Sequence, residues 1–326
     1  MRFSPTSTGL VTMVISAASF GTSGAFIKPL LGSGWSPAAA VTARALTAGL
    51  VLLPFVLVAL RGRWSALWRA RWRVAGMGII AVAFTQLAYF AAIQRIPVAT
   101  ALLIEYLAPL LLVGFAWATS RRMPRPTVLL GSVLAIGGLV LVIGPGALQA
   151  VDPLGLALAF SAAIGCAVYF VVAARPADGL HPVVLAGSGL LLGGVALAVV
   201  GLTGLLPFTA AFGDVTLFGS ATPWWVPLAV VAVVGTALAY ASGIAGTGML
   251  GSRLASFVGL LEVVFASVFA WLLLGEALSP LQLVGGLLIL GGIAVVPSEN
   301  SSADSSATDD KPAAGARPDA VLELRR

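Results

Sequence analysis

The sequence predicts an all-α integral membrane protein with ten transmembrane helices, arranged as two inverted repeats of five helices each. The first observation is composition, since 59% of the 326 residues are hydrophobic and only 9% are charged. Soluble domains carry about 25% charged residues. The second observation is an internal duplication, and the third is the placement of arginines between apolar runs. Together they indicate a chain that crosses a lipid bilayer many times.

The duplication relates residues 100–142 to residues 254–296, which align without a gap at a constant offset of 154 positions. The alignment pairs Trp117 with Trp271 and Pro126 with Pro280. Three glycines of each stretch also coincide, namely Gly131, Gly137 and Gly138 with Gly285, Gly291 and Gly292. Each stretch holds two apolar runs near the ~20 residues that a membrane-crossing helix needs. The match predicts a first repeat over residues 1–146 and a second over residues 147–297.

Apolar spans follow one another along both predicted repeats. Their predicted bounds are 9–31, 37–60, 73–94, 98–118, 127–144, 154–174, 182–206, 223–245, 254–274 and 280–297. An odd number of spans per repeat makes the second repeat enter the membrane from the opposite side, an arrangement that recurs in secondary transporters. Residues 298–326 are polar and rich in Ser, Ala and Asp, and are predicted to form a disordered cytoplasmic tail.

Arginines between the spans predict the orientation. They fall in the loops on one side of the membrane, at Arg61, Arg63, Arg69, Arg71, Arg73, Arg121, Arg122, Arg125, Arg175 and Arg253. The positive-inside rule makes this side cytoplasmic and places both termini there, in the inner membrane of a bacterium. The net charge of +6 is thereby explained as a membrane pattern, so no nucleic-acid partner is expected.

The cysteine and histidine content excludes several kinds of site within one chain. There is one cysteine, Cys166, and one histidine, His181. A disulfide framework, a Cys/His metal site and a Cys–His nucleophile are therefore not expected. No cofactor and no metal are predicted.

Three charged residues lie inside the spans, where a charge at the bilayer centre costs about 2.5–3.5 kcal/mol on insertion scales. They are Arg44 in span two, Glu105 in span four and Glu262 in span nine. Arg44 and Glu105 lie at similar depths, which predicts a buried pair, whereas Glu262 has no partner within its own hairpin. The alternatives are that the first two only hold helices together and that Glu262 is protonated and bonded to backbone. In the repeat alignment Glu105 corresponds to Gly259 and Glu262 to Ala108.

Further polar side chains in the spans are candidates for a water-accessible cavity. They are Gln86 and Tyr89 in span three, Tyr106 in span four, Tyr169 in span six and Tyr240 in span eight. Each of them is alternatively a core residue with satisfied hydrogen bonds.

The last hairpin, LLEVVFASVFAWLLLGEALSPLQLVGGLLILGG from residue 260, resembles the closing hairpin of EamA-type carriers of the drug/metabolite transporter superfamily. Residues 89–112 resemble the corresponding part of their first half. The residues that match the family pattern are Glu262, Trp271, Gly275, Glu276, Gly285 and Gly292. Val263 departs from the usual proline, which predicts a weaker helix break beside Glu262, and Arg121-Arg122 replaces a Gly-Glu pair.

The resemblance implies a secondary transporter but not its substrate, because members of the superfamily export amino acids, other metabolites and drugs alike. The chain is predicted to export a small polar metabolite, such as an amino acid or a related compound, by alternating access. Glu262 is the hypothesised proton-coupling residue and Glu105 a substrate-orienting one. The alternatives are an intramembrane lipid-modifying enzyme, which needs a nucleophile–base pair or metal ligands, and a membrane scaffold or sensor without transport activity. The expected partners are a small-molecule substrate and the lipid bilayer, and whether the carrier forms a homodimer is left open.

Overall fold

A computed structural model describes residues 4–121, 123–144, 152–175, 179–275 and 279–296. Within these ranges, nine helices are long and apolar enough to cross a membrane, and a tenth apolar helix, Pro280–Val295, is shorter. These ten segments agree with the ten predicted spans and confirm a multi-pass helical membrane protein. The predicted tail, residues 298–326, and Glu276 of the family pattern lie outside the described residues.

In its described residues, the first half of the chain contains eight α-helices and one π-helical segment. These are α1 (Pro5–Gly32), α2 (Pro37–Ala59), α3 (Trp64–Arg69), α4 (Arg71–Ala75), the first π-helical segment (Gly76–Phe84), α5 (Thr85–Ile93), α6 (Val98–Glu105), α7 (Ala108–Ser120) and α8 (Pro126–Ile143).

The second half contains seven α-helices, one π-helical segment and a β-hairpin in its described residues. These are α9 (Pro153–Ala174), α10 (Pro182–Leu202), β1 (Asp214–Leu217), β2 (Ser220–Pro223), α11 (Trp225–Ala232), the second π-helical segment (Val233–Leu238), α12 (Ala239–Leu250), α13 (Ser252–Gly259), α14 (Leu261–Leu274) and α15 (Pro280–Val295).

Several spans begin with a polar cap followed by proline. Proline is favoured at the first helical position because its fixed φ suits the helix and its missing N–H would be unsatisfied there in any case. The Ser36 side chain accepts a hydrogen bond from the amide of Ala39 in α2. Ser279 and Gln282 form a reciprocal capping box at the start of α15. These local signals explain why the predicted starts of these spans agree with the structure.

The glycines matched between the two halves lie where α8 packs against α15. A Cβ added to Gly131 would lie 2.8 Å from the carbonyl oxygen of Gly292, and one added to Gly292 would lie 2.8 Å from that of Gly131. Gly138 approaches Gly285 in the same reciprocal way. The pairing runs in reverse order, since Gly131 is the repeat equivalent of Gly285 and Gly138 of Gly292. Two equivalent helices therefore cross antiparallel about a pseudo-two-fold axis, which is the contact that inverted repeats make.

The two π-helical segments also occupy equivalent places, in spans three and eight. Thr85, Leu87 and Tyr89 in the sequence TQLAY match Thr236, Leu238 and Tyr240 in the sequence TALAY. The Thr85 hydroxyl donates to the carbonyl oxygen of Ile80, and the Thr236 hydroxyl to that of Val231, each at 2.9 Å. In both cases the acceptor lies five residues earlier. π-Bulges are rare and often mark functional sites, so their occurrence in both repeats indicates a shared structural role.

A small β-hairpin interrupts the otherwise helical chain, and the sequence did not predict it. β1 pairs with β2 in antiparallel fashion through the two-residue turn Phe218-Gly219. Both turn residues have positive φ, +49° and +83°, as a type I′ turn requires. Phe is an unusual residue there in place of Asn or Asp, so the sequence carries no recognisable signal for this turn. Phe218 packs edge-on against Phe26 of α1, with ring centroids 5.4 Å apart.

The segment before the hairpin is fastened to the loop between α1 and α2. The indole nitrogen of Trp35 donates to the carbonyl oxygen of Ala211 at 2.6 Å. The amide of Ser36 donates to the carbonyl oxygen of Thr209 at 2.9 Å, and the amide of Thr209 donates to the Ser36 hydroxyl at 3.0 Å. These bonds hold the segment against the end of the bundle at which α2 begins.

Candidate functional site

Spans four and nine are each broken in the middle, at equivalent positions of the two repeats. α6 ends at Glu105 and α7 begins at Ala108. α13 ends at Gly259 and α14 begins at Leu261. The second break forms although Val263 stands where the family usually has proline. It is one residue long, Leu260, whereas the first is two residues long, Tyr106 and Leu107, which agrees with the predicted weaker break beside Glu262. The amide of Val263 donates to the carbonyl oxygen of Leu260 at 3.1 Å and starts a new helical turn without proline.

A cavity of about 160 Å³ lies at the two breaks. Both carboxylate positions and their repeat equivalents line it, namely Glu105 with Gly259 and Ala108 with Glu262. The lining also comes from α1, α2, α5, α9 and α12, so both repeats contribute to one cavity. This is the position that inverted-repeat transporters use for their substrate.

The structure brings six of the seven sequence-predicted site residues to this cavity. They are Glu262, Glu105, Arg44, Gln86, Tyr106 and Tyr240. Tyr169, a further candidate, also lines it.

Tyr89 is the predicted site residue that does not line the cavity. It packs edge-on against Phe90, with ring centroids 5.7 Å apart, and belongs to the apolar contacts around Ala92 and Ile96. Its repeat equivalent, Tyr240, does line the cavity. The equivalent tyrosines of the two repeats therefore have different surroundings.

Arg44 and Glu105 share the cavity without the direct ion pair that the sequence suggested. Among the described residues, the charged atoms of this pair do not come within 4.0 Å of each other. Arg44 interacts electrostatically with both Glu105 and Glu262. Similar depth in two different spans does not establish contact, because rotation about each helix axis decides which way a side chain projects. The arrangement is one cation facing two carboxylates across a cavity.

Aromatic hydroxyls surround the carboxylates. The Tyr106 hydroxyl neighbours Glu262, to which it can donate a hydrogen bond. The Tyr240 ring meets Tyr169 and Phe20 edge-on, with centroids 5.6 Å and 5.3 Å apart. Edge-to-face contact is a preferred packing of aromatic rings, so these three rings form one packed wall of the cavity.

Sequence reasoning missed the small polar residues of the lining, which are Ser16, Ser23, Thr85, Cys166 and Ser256. Ser16 and Ser23 lie seven residues apart, and hence two turns apart on one face of α1. Their hydroxyls donate to the carbonyl oxygens of Ala239 at 2.8 Å and Gly235 at 3.3 Å. The seven-residue spacing of hydroxyls in an apolar span was the available signal, although hydroxyls bonded to backbone are common in membrane helices.

No metal site accompanies the carboxylates in the part of the chain that the structure describes. It contains no group of three or more His, Cys, Asp or Glu side chains that could hold a metal ion. The cavity residues suit a different chemistry. A guanidinium group can bind a carboxylate or phosphate bidentately, and a carboxylate can bind a cationic amine.

Comparison with known proteins identifies the family. The EamA-like transporter family matches this chain twice, over residues 7–144 and 153–297. An uncharacterized transporter from Archaeoglobus fulgidus is 28% identical over 288 residues, which cover 88% of this chain and 95% of the relative. The uncharacterized inner membrane transporter YicL from Salmonella typhimurium is 25% identical over 300 residues, which cover 88% and 94%.

A solved crystal structure shares the fold. It aligns with a TM-score of 0.68 at 20% sequence identity, covering 95% of this chain and 100% of the other. The two family matches span most of the residues between the N-terminus and Pro297. The resemblance of the last hairpin to EamA-type carriers is therefore confirmed, and the protein, a multi-pass membrane transporter, belongs to the EamA-like transporter family.

Proposed function

We propose that this transporter exports a small polar metabolite, such as an amino acid or a related compound, by alternating access with proton coupling through Glu262. It acts in the inner membrane of a bacterium, with both termini in the cytoplasm. The observation that carries the proposal is the convergence of Arg44, Glu105 and Glu262 on one cavity at the two helix breaks. One cation and two carboxylates can together bind the carboxylate and the ammonium group of an amino acid.

The proposal gives the two carboxylates different roles. Glu262 lies in the first turn of α14, and Tyr106 neighbours it from the break in the other repeat. A proton on Glu262 would therefore change interactions that join the two halves of the molecule. Glu105 ends α6 and is assigned to substrate orientation. If the form with a proton on Glu262 does not bind substrate, the proton flux and the substrate flux are linked, because the proton and the substrate compete for one cavity.

The test uses the full chain in sealed proteoliposomes, with isotopically labelled amino acids as the transported probes. Two activities are measured, uptake driven by a pH gradient and exchange across the membrane without a gradient. The Glu262→Gln variant should lose gradient-driven uptake and its pH dependence while retaining exchange, because the amide cannot carry a proton. Asp214→Asn makes the same chemical change in the exposed hairpin and should behave like the wild type.

Two results would count against the proposal. If Glu262→Gln keeps both activities at the wild-type rate and pH dependence, Glu262 is structural and does not couple protons. If the wild-type protein moves none of the amino acids in vesicles shown to be sealed, the proposed substrate class is wrong.

A further inference from the structure

The connection between α2 and the first π-helical segment has two chemically different faces. One face is buried and consists of small or apolar residues four positions apart, which are Ala66, Ala70 and Val74. The other carries three indoles at the same spacing, Trp64, Trp68 and Trp72, which are 57%, 71% and 75% exposed. Residues four apart share a helix face. The buried face packs on the protein, so the indole face points away from it.

Arg71 lies between two of these indoles. Its guanidinium carbon is 5.1 Å from the ring centroid of Trp68 and 5.6 Å from that of Trp72, within the range of cation–π attraction. One of its nitrogens donates to the carbonyl oxygen of Trp68 at 3.1 Å. A guanidinium group has five N–H donors. The donors that remain can bind an external group while the two indole rings hold the guanidinium plane in position.

The segment is strongly basic and has no acidic residue near it in the chain. Five arginines lie within thirteen residues, at Arg61, Arg63, Arg69, Arg71 and Arg73, and no Asp or Glu precedes Glu105. Arg73 bonds through its Nε to the carbonyl oxygen of Val172 at 3.0 Å. This contact attaches the segment to the C-terminal end of α9, so the position of the exposed arginines and indoles is fixed relative to the helix bundle.

The position of the segment indicates what it meets. One span ends at Ala59 and the next begins at Arg71, so the segment lies at the edge of the bilayer. Tryptophan is enriched at that depth because its ring is amphipathic, and basic clusters beside a membrane attract anionic lipids. We propose that the face formed by Trp64, Trp68, Arg71 and Trp72 binds the phosphate head group of an anionic phospholipid, with the indoles among the lipid head groups. The proposal does not depend on the transported substrate.

The experiment places the full chain in phosphatidylcholine nanodiscs that contain brominated phosphatidylglycerol or, at the same mole fraction, brominated phosphatidylcholine. Bromine quenches indole fluorescence only at short range. Because the chain has eight tryptophans, the quenching at this face is obtained by subtracting that of a triple variant, Trp64→Phe, Trp68→Phe and Trp72→Phe. We expect stronger quenching by the anionic lipid in the wild type. Arg71→Gln should weaken this preference about fivefold, the factor for one arginine at an anionic surface.

Arg175→Gln is the matched control, because Arg175 is an exposed arginine at the end of α9 that is not stacked on an indole. It should retain the wild-type preference. Equal quenching by the two brominated lipids in the wild type would overturn the proposal, whether or not Arg71→Gln folds. Loss of the preference on addition of inorganic phosphate would also overturn it, since the site would then bind free phosphate and not a lipid.

Discussion

At the scale of single residues, the cavity separates charges that the sequence suggested would pair. Arg44 faces Glu105 and Glu262. No carboxylate oxygen of either glutamate lies within 4.0 Å of a guanidinium nitrogen of Arg44. A charge removed from water is costly unless polar groups compensate it. The lining offers tyrosine, serine and threonine hydroxyls for this purpose. Separated charges keep their hydrogen-bonding atoms available, which suits ligand binding better than a closed ion pair would.

The electrostatic coupling of Arg44 to Glu105 is testable by a double-mutant cycle. Arg44→Gln should destabilise the protein because it leaves two carboxylates facing each other without a cation. Adding Glu105→Gln should recover part of the loss, with a coupling free energy of about 0.5 kcal/mol or more. Thermal unfolding of the two single variants, the double variant and the wild type in detergent measures it.

The control cycle combines Arg44→Gln with Arg95→Gln. Arg95 is outside the cavity lining and pairs with Asp152 at 3.3 Å on the surface, so these losses should add. Additive losses in the Arg44 and Glu105 cycle as well would show that the two cavity charges do not interact.

At the scale of helices, spans four and nine break at equivalent positions although the residues at the two breaks differ. Pro109 occupies the first turn of α7, whereas its equivalent, Val263, occupies the first turn of α14. Proline is tolerated in a first turn because the backbone N–H that it lacks would have no partner within the helix there. The break is therefore a property of how the two half-helices pack around the cavity, and proline assists it without being required.

Val263→Pro should accordingly be tolerated. The substitution removes the 3.1 Å bond from the amide of Val263 to Leu260, a loss of about 1 kcal/mol, and transport activity should be retained. Val268→Pro, in the interior of the same helix, should cost about 3 kcal/mol or more. Unfolding midpoints and vesicle transport of both variants test this, and equal damage by the two prolines would contradict it.

The π-helical segments make a second prediction at this scale. Thr236 is 1% exposed, and its hydroxyl bonds to the carbonyl oxygen of Val231. Thr236→Val keeps the shape of the side chain but removes this bond, and should lower the free energy of unfolding by about 1 kcal/mol. Thr85→Val should have the same effect in the other repeat.

Thr203→Val is the matched control for the threonine variants. The Thr203 hydroxyl bonds to the carbonyl oxygen of Val200 at an exposed position, where water can replace it. Its stability should stay within about 0.5 kcal/mol of the wild type. A Thr236→Val variant as stable as Thr203→Val would show that the hydroxyl does not support the π-helical geometry.

At the scale of the whole molecule, the inverted repeats and the distribution of arginines predict the same membrane topology. The reciprocal contacts of Gly131 with Gly292 and of Gly138 with Gly285 show equivalent helices crossing antiparallel. The basic segment between α2 and the first π-helical segment lies at one face of the bundle, and the hairpin of β1 and β2 follows a span that starts from that same face. The hairpin and the basic segment should therefore lie on opposite sides of the membrane.

Cysteine labelling tests this orientation in a Cys166→Ser background, which lacks other thiols. A cysteine introduced at Asp214, the exposed first residue of β1, should react with a membrane-impermeant maleimide added to intact cells. A cysteine introduced at Ser306, in the predicted tail, should react only after the cells are permeabilised. Labelling of both positions from the same side would refute the topology.

The sequence by itself determined the membrane class, the number and approximate bounds of the spans, the duplication and its inversion. It could do so because span length, capping and glycine spacing are local or strictly periodic signals. It also singled out Arg44, Glu105 and Glu262, because a charged residue within an apolar run can be recognised from the sequence alone. Only the tertiary structure decided how these residues meet. The separation of Arg44 from Glu105, the different settings of Tyr89 and Tyr240, and the serines of α1 in the cavity lining all depend on the rotation and tilt of helices distant in the chain. Those angles are set by packing across the pseudo-two-fold axis, and no local pattern of residues encodes them.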